Sequence, residues 1–144
     1  MGMNGRYFFE SNSYEFEADM VDVITTFAKR EWGVKSVKFS TRKQDLFEGT
    51  DLFVVGIPID VTMNFAQKNN TQKLGEMDVD GISIDFGVRI GNGNVDFKTP
   101  VLVLGVESAA GIGRSNLWVV IETVKSNIKE ILNKGMDKYL YATE

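Results

Sequence analysis

Apolar residues recur at helical spacing in residues 13–32, and this pattern predicts the first helix of the chain. The apolar positions lie three or four residues apart, which is the period of one helix face. Ser13 is a residue type that caps helix starts, and Gly33 is one that ends helices. The predicted stripe consists of Phe16, Met20, Ile24 and Phe27, with Val21 and Ala28 beside them.

A second helical pattern covers residues 115–135. Ser115 stands at its predicted start and Gly135 at its predicted end. The pattern predicts one long amphipathic helix near the end of the chain. Its buried stripe is predicted to consist of Leu117, Val120, Ile121, Val124, Ile128, Ile131 and Leu132.

Between the helices, short apolar runs separated by turn residues predict a β-sheet. Gly56 and Pro58 favour a tight hairpin between strands at 51–55 and 57–65. The continuously apolar run at 99–107 is typical of a central strand. The other predicted strands are 34–39, 82–90 and 94–97. The polar stretch 66–81 is predicted to be a loop or a frayed extension of the strand before it.

This order of elements predicts a single α+β domain over residues 1–144. A mixed central β-sheet would be flanked by an N-terminal helix and a C-terminal helix. The length is that of one domain and allows a real core, and no internal repeat or linker divides the chain.

The composition restricts the chemistry that the chain can perform. Cysteine and histidine are both absent, which excludes disulfides, thiolate or imidazole metal ligands and Ser-His triads. An enzyme of this composition would use carboxylates, lysines, hydroxyls and a hard cation such as Mg²⁺. The formal net charge of -4 gives no overall attraction to nucleic acid. A polyanion would therefore need a local basic patch or a bound metal ion.

The distribution of apolar residues also bears on location. No apolar run reaches the length of a membrane span. Residues 1–20 carry several acids and lack the apolar core of a signal peptide. We therefore expect a cytoplasmic protein with no membrane partner.

Two motif-like stretches lack residues that their chemistry requires. In residues 101–115 a glycine-rich connection joins a strand to a helix, but Arg114 stands where a phosphate-binding loop needs lysine. A weak anion contact at that helix start stays open. Residues 76–81 begin like a calcium loop, yet the twelfth position is Gly87 rather than glutamate. We interpret the first stretch as a flexible connection and the second as an acidic turn.

Two aspartates stand out because they occur in segments that otherwise have the pattern of core strands. Asp51 opens the first strand of the predicted hairpin, and Asp60 lies within the second, between Ile59 and Val61. Pairing around Gly56 would place Asp51 opposite Asp60 or Val61. Two carboxylates this close repel each other unless one is protonated or a cation lies between them. The hairpin therefore predicts a hard-metal site that can activate water against a phosphodiester.

A structural role is the alternative for both aspartates. Aspartate is common at strand ends, where it accepts hydrogen bonds from loop amides. In this alternative Arg42 or Lys43 would supply the opposite charge.

The same residues resemble the motifs of the PD-(D/E)XK nuclease superfamily. Residues 49–52, GTDL, are similar to its G-[TS]-D-[LIV] motif, and residues 59–62, IDVT, to its [IV]-[DE]-x-K motif. Glu17 on the first helix resembles the preceding acid. The resemblance implies a restriction-endonuclease-like core in which Asp51 and Asp60 bind Mg²⁺ or Mn²⁺ and Glu17 assists. It also implies a nucleic-acid substrate, with DNA favoured over RNA.

The resemblance covers residues 13–65. One position within this range departs from the family's pattern. Thr62 stands where the family has a lysine that orients the attacking water and stabilises charge on the phosphate. Lys68 is the candidate for a displaced lysine, with Lys73 and Lys43 as alternatives. The predicted catalytic residues are therefore Glu17, Asp51, Asp60 and Lys68.

Two functions follow from these patterns. The first is a metal-dependent nuclease, which would gain from forming a homodimer because cutting both strands of a duplex takes two sites. The second is a catalytically inactive relative that binds or inhibits a protein partner, as an accessory protein of a phage or mobile element. The acidic composition favours the second function, and binding of Mg²⁺ or Mn²⁺ would distinguish the two.

Basic and aromatic side chains add two smaller expectations. Lys125, Lys129 and Lys134 are predicted to form a solvated face of the last helix or, alternatively, a local basic patch for DNA. Trp32 and Trp118 are expected to anchor the core rather than to stack on bases.

Overall fold

A computed structural model describes most of the chain, in six segments. Three predictions lie outside the described residues: the lysines at 43 and 68, and residues 107–113 of the glycine-rich connection. The described residues are 5–42, 49–63, 65–67, 70–92, 95–106 and 114–144.

The first helix, α1, spans Gly5–Trp32 and is longer than predicted. Its end is confirmed, because Gly33 adopts φ 98° and its N–H donates to the Lys29 carbonyl at 3.0 Å. Its predicted start at Ser13 is wrong, since residues 6–12 contain no glycine or proline that would stop the helix. The buried stripe contains Phe16, Met20, Ile24 and Ala28.

Six strands form one mixed sheet in the order β1-β2-β3-β6-β5-β4. Strands β3 and β6 are parallel, and the other neighbours pair antiparallel. Strand β6 lies inside the sheet, as predicted for the most apolar run. The strands are β1 (Val37–Phe39), β2 (Leu52–Val54), β3 (Ile57–Thr62), β4 (Thr71–Val79), β5 (Ile82–Asn92) and β6 (Val95–Val106).

The predicted hairpin at Gly56 is confirmed, with shorter strands. Val54 pairs with Ile57 across a two-residue turn. Both turn residues have positive φ, 50° at Val55 and 80° at Gly56, which matches the twist of tight hairpins. The strand predicted at 34–39 begins instead as a 3₁₀ turn, Val34–Ser36, and only then becomes β1.

The predicted loop at 66–81 is wrong, because most of it is β4. This nine-residue edge strand pairs with β5 along its length, with one irregularity between Lys73 and Gly75. The strand was not predicted because its side chains are mostly half-exposed or exposed, and an edge strand needs no continuous apolar pattern. The acidic turn predicted at 76–81 is correct only at Asp80 and Gly81, both with positive φ, because residues 76–79 belong to β4. An Asp-Gly pair is a hairpin signal that predicts a preceding strand.

The described residues of two predicted strands, 94–97 and 99–107, belong to one strand, β6. β6 runs through Pro100, and its pairing with β5 shifts register between Arg89 and Gly91. A proline is compatible with a strand at such an irregularity because it has no N–H for the ladder.

The C-terminal helical segment is two helices rather than one. Helix α2 spans Arg114–Ser126, helix α3 spans Ile128–Thr143, and Asn127 separates them. The predicted end at Gly135 is wrong, because Gly135 is buried within α3. A Cβ at this position would lie 3.1 Å from side-chain atoms of Leu104 and Phe86. Gly135 therefore allows α3 to approach the sheet closely.

The α+β fold class is as predicted, with N-terminal and C-terminal helices flanking the sheet. The core lies between the helices and one side of the sheet, which carries Ile59, Val61, Phe86 and Leu104. Trp32 and Trp118 were predicted to anchor the core. This prediction is wrong, because 38% and 67% of their surfaces are exposed. None of the described helices is long and apolar enough to cross a membrane.

Candidate functional site

The structure brings Asp51 and Asp60 together at the end of the β2–β3 hairpin. Leu52 pairs with Ile59, so the next positions along the two strands are Asp51 and Asp60. The Asp51 N–H also donates to the Ile59 carbonyl at 2.8 Å. The predicted juxtaposition of the two acids is therefore confirmed.

The Asp51 side chain is held in place by the backbone of β3. The Val61 N–H donates to Asp51 Oδ2 at 2.8 Å. A carboxylate thus takes a hydrogen bond that a strand carbonyl would normally accept. Ser40, at the end of β1, donates its hydroxyl to the Asp51 carbonyl at 2.9 Å.

The pKa of Asp51 is raised from 3.8 to about 8. Burial is the largest cause, and the negative charge of Asp60 is the next. The Val61 hydrogen bond opposes the shift, and the hydrogen bond between the two carboxyl groups adds to it. At neutral pH Asp51 therefore holds a proton that a carboxyl group in water would lose.

Asp60 lies on the side of the sheet that faces away from the helices. Its neighbours Ile59 and Val61 point into the core, so its side chain points the opposite way. We call this the polar side of the sheet, and by strand alternation it carries Asp60, Thr62, Asp85 and Arg89. All four residues are buried.

Arg89 is the ionic partner of Asp60, and neither residue is exposed. An Arg89 guanidinium nitrogen, Nη2, lies 3.2 Å from Asp60 Oδ2. The same nitrogen donates to the Gly49 carbonyl at 2.8 Å. A Cβ at Gly49 would collide with this guanidinium, and Gly49 has φ 61°. The glycine that begins the GTDL segment therefore makes room for arginine.

Sequence reasoning missed Arg89, although a signal was present. Arg89 stands in an alternating strand after Val88, where a charge needs a partner for the same reason as Asp60. The position of β5 two strands from β3 was not predictable from local patterns. Phe97 also lies beside Arg89, with its ring centroid 5.7 Å from the guanidinium carbon.

Glu17 is a peripheral member of this group of acids. It is half-buried on α1. Its charge raises the pKa of Asp51, but it is the last of the five causes. Within the described residues, no group of three or more acidic side chains is close enough to hold a metal ion. The pair of Asp51 and Asp60 is therefore the candidate ligand set.

Of the three lysine candidates, Lys73 alone lies within the described residues, and it is far from the pair. Thr62 is buried. Lys73 lies on β4, three strands from β3, and its Nζ is 3.4 Å from both Asp85 Oδ1 and Glu76 Oε2. Its pKa is raised, first by hydrogen bonding to Asp85. Asp60 forms an ion pair with Arg89, a counter-charge that the structural alternative with Arg42 or Lys43 did not name.

A second buried acid, Asp85, lies on the same side of the sheet and was not predicted. It is 1% exposed, and the described residues place only the long Lys73 ion pair beside it.

The Phe65 ring packs over Gly87 and Gly105, where Cβ atoms would lie 2.6 and 2.7 Å from Phe65 atoms. These glycines form a trough that lets an aromatic ring lie flat against the sheet.

Comparison with known proteins found no matching family model, no matching curated protein and no matching solved structure. The site must therefore be interpreted from its own geometry.

Proposed function

We propose that this protein is a metal-dependent nuclease of the PD-(D/E)XK type, with Asp51 and Asp60 as ligands of Mg²⁺ or Mn²⁺. The observation that carries the proposal is the adjacent pair of carboxyl groups, one with a pKa of about 8. A fold has no structural need to place two acids in hydrogen-bond contact in a strand pair that is otherwise core. A pKa that burial and a neighbouring acid raise in this way is typical of functional sites.

The donor set fits a hard divalent cation. Both side chains offer carboxylate oxygens, which Mg²⁺ and Mn²⁺ prefer. The Val61 N–H orients the Asp51 carboxylate, as an outer hydrogen bond does at a metal site. When bound, such a cation polarises a phosphoryl oxygen and lowers the pKa of coordinated water.

Arg89 supplies the positive charge that Thr62 lacks. Its guanidinium carries a positive charge and lies beside Asp60. Because Arg89 is buried, its charge acts on the acid pair at short range, where it offsets negative charge, rather than by direct contact with a phosphodiester. In this proposal Arg89 takes the role assigned to Lys68, while Glu17 adjusts the acidity of Asp51 from the helix side.

The proposal is tested by cleavage of plasmid, linear and single-stranded DNA and of RNA with Mg²⁺ or Mn²⁺. We expect Asp51→Asn and Asp60→Asn to abolish cutting. Asp85→Asn is the matched control, because Asp85 is an equally buried acid on the same side of the sheet. Cutting by the Asp51→Asn protein, or equal loss in the control, would contradict the proposal.

A second candidate function rests on the Asp60–Arg89 ion pair. The Arg89 guanidinium lies 3.2 Å from Asp60 and neutralises its charge. A buried carboxylate in a site without metal needs such a counter-charge. This arrangement favours a catalytically inactive relative that binds a protein partner. That function predicts no binding of Mg²⁺ or Mn²⁺, whereas the nuclease requires it.

A further inference from the structure

Basic residues are concentrated in one short part of this acidic chain. Residues 29–42 contain five of the 16 basic residues and one of the 20 acidic residues, Glu31. This segment runs from the end of α1 through β1, which is an edge strand of the described sheet. A local basic patch of this kind is what a polyanion requires from a protein with net charge -4.

The basic side chains of this segment are available to a ligand. Lys35, Lys38 and Arg42 are all exposed. Phe39, between the last two, has 57% of its surface exposed, and the Lys29 ammonium lies 5.9 Å from its ring centroid. We call these four residues, Lys35, Lys38, Phe39 and Arg42, the basic edge.

The basic edge leads directly to the acid pair. Ser40 lies between Phe39 and Arg42, and its hydroxyl bonds to the Asp51 carbonyl. Lys38 precedes Ser40 by two strand residues, or about 7 Å. Strand alternation places Lys38 on the polar side of the sheet with its pair partner Phe53, and Phe39 on the helix-facing side with its partner Leu52. A ligand that contacts both residues therefore crosses the exposed edge of β1.

Protection of a sheet edge does not explain this concentration of positive charge. Charged side chains of either sign discourage edge-to-edge pairing. The opposite edge strand, β4, carries the acids Glu76 and Asp78 together with Lys73. Of the two edge strands, β1, which adjoins Asp51, carries a basic residue and no acidic one.

We propose that the basic edge binds the backbone of single-stranded nucleic acid and guides it toward Asp51 and Asp60. Lys35, Lys38 and Arg42 contact phosphates, and Phe39 stacks on an unpaired base. A base within a duplex could not reach this ring, so single strands are bound more tightly than duplexes. This inference deepens the proposed function, on which the choice of nucleic acid rests.

The test is fluorescence anisotropy with a labelled 12-nucleotide oligothymidylate in EDTA, so that no metal is required. We expect Lys35→Glu/Lys38→Glu to weaken binding at least about tenfold and to lower the salt slope by about 0.7 per lost contact. Phe39→Ala should weaken it about fivefold by removing a stacking surface. Each variant is checked for a native melting transition before use.

The matched control is Lys129→Glu/Lys134→Glu, which changes the charge equally on the exposed face of α3. We expect it to bind within about twofold of the parent, since the proposal assigns these residues no phosphate contact. Equal loss in the control would overturn the proposal, and so would equal or tighter binding of a duplex of the same length. Displacement of the oligonucleotide by polyglutamate at equal charge, or no binding by the parent protein, would also overturn it.

The same assay separates this inference from the nuclease proposal. Asp51→Asn should bind the oligonucleotide as tightly as the parent in EDTA while failing to cut with Mn²⁺. Binding without metal-dependent cutting by the parent would refute the nuclease alone. Cutting that survives reversal of the basic edge would refute the basic edge alone.

Discussion

The two sides of the sheet are built on opposite principles. The side that faces the helices is apolar, and residues such as Ile59, Phe86 and Leu104 pack there against α1 and α3. The polar side buries Asp60, Asp85 and Arg89, although burial of charge costs free energy. The difference teaches that one side supplies stability, whereas the other buries charged groups that stability alone does not require.

Removal of a buried ring from the helix-facing side should have the largest effect on stability. Phe86 is 0% exposed and lies next to Gly135 of α3. We expect Phe86→Ala to lower the free energy of unfolding by about 4 kcal/mol, because it leaves a cavity. Urea denaturation measures this change, with the exposed Phe39→Ala as control. A comparable loss at Phe39 would contradict the placement of the core.

Breaking the ion pair on the polar side should have the next largest effect. Arg89→Met leaves Asp60 buried without its cation, so we expect a loss of about 3 kcal/mol in urea denaturation. Asp60→Asn/Arg89→Met should regain most of it, since the uncompensated charge is gone. If the double variant is as unstable as the single one, lost packing explains the effect.

The Arg89→Met protein also sharpens the comparison between the two sides. If Asp51 and Asp60 form a cation site, Mn²⁺ should raise the melting temperature of this variant more than that of the parent protein. Phe86→Ala is the control, because its defect lies on the helix-facing side. An equal response of all three proteins to Mn²⁺ would argue against a specific site.

Substitution of Asp51 should stabilise the protein. Because its pKa is 3.8 in the unfolded chain and about 8 in the folded protein, stability falls as pH rises between these values. Asp51→Asn removes the group that titrates, so this loss of stability with rising pH should disappear. The asparagine side chain keeps an oxygen that can accept the hydrogen bond from the Val61 N–H. We expect a gain on the order of 2 kcal/mol near pH 8 that shrinks toward pH 5. Denaturation across this pH range measures it, and a destabilised variant would mark Asp51 as structural.

The basic edge should have the smallest effect on stability. Lys38 is exposed, so Lys38→Glu should change the free energy of unfolding by less than about 0.5 kcal/mol. The same substitution should weaken binding of single-stranded DNA. Parallel denaturation and anisotropy measurements check both statements, and a coupled loss would mean that the edge acts through folding.

The helix-facing side was largely predictable from the sequence, because its pattern is local. The stripe of α1 and the hairpin at Gly56 follow from spacing and turn residues that lie near one another in the chain. The helix end predicted at Gly135 was wrong because close packing against Leu104 outweighs the tendency of glycine to end a helix. That contact joins residues far apart in sequence, so no local pattern contains it.

The polar side was predictable only in part. Asp51 and Asp60 could be paired because a tight hairpin fixes their register. Arg89 could not be assigned to Asp60, since β6 passes between β3 and β5 and the contact depends on the order of the strands. The nuclease assignment therefore stays a prediction that rests on the acid pair.

The most direct test of the central claim is calorimetric titration of MnCl₂ into the parent protein and Asp51→Asn between pH 6 and pH 8. Binding of the cation displaces the proton of Asp51, so the affinity of the parent should rise by up to about tenfold per pH unit. Asp51→Asn should bind at least about tenfold more weakly, with little dependence on pH. Absence of binding at every pH, or equal affinity in the two proteins, would contradict the assignment of Asp51 and Asp60 as a metal site.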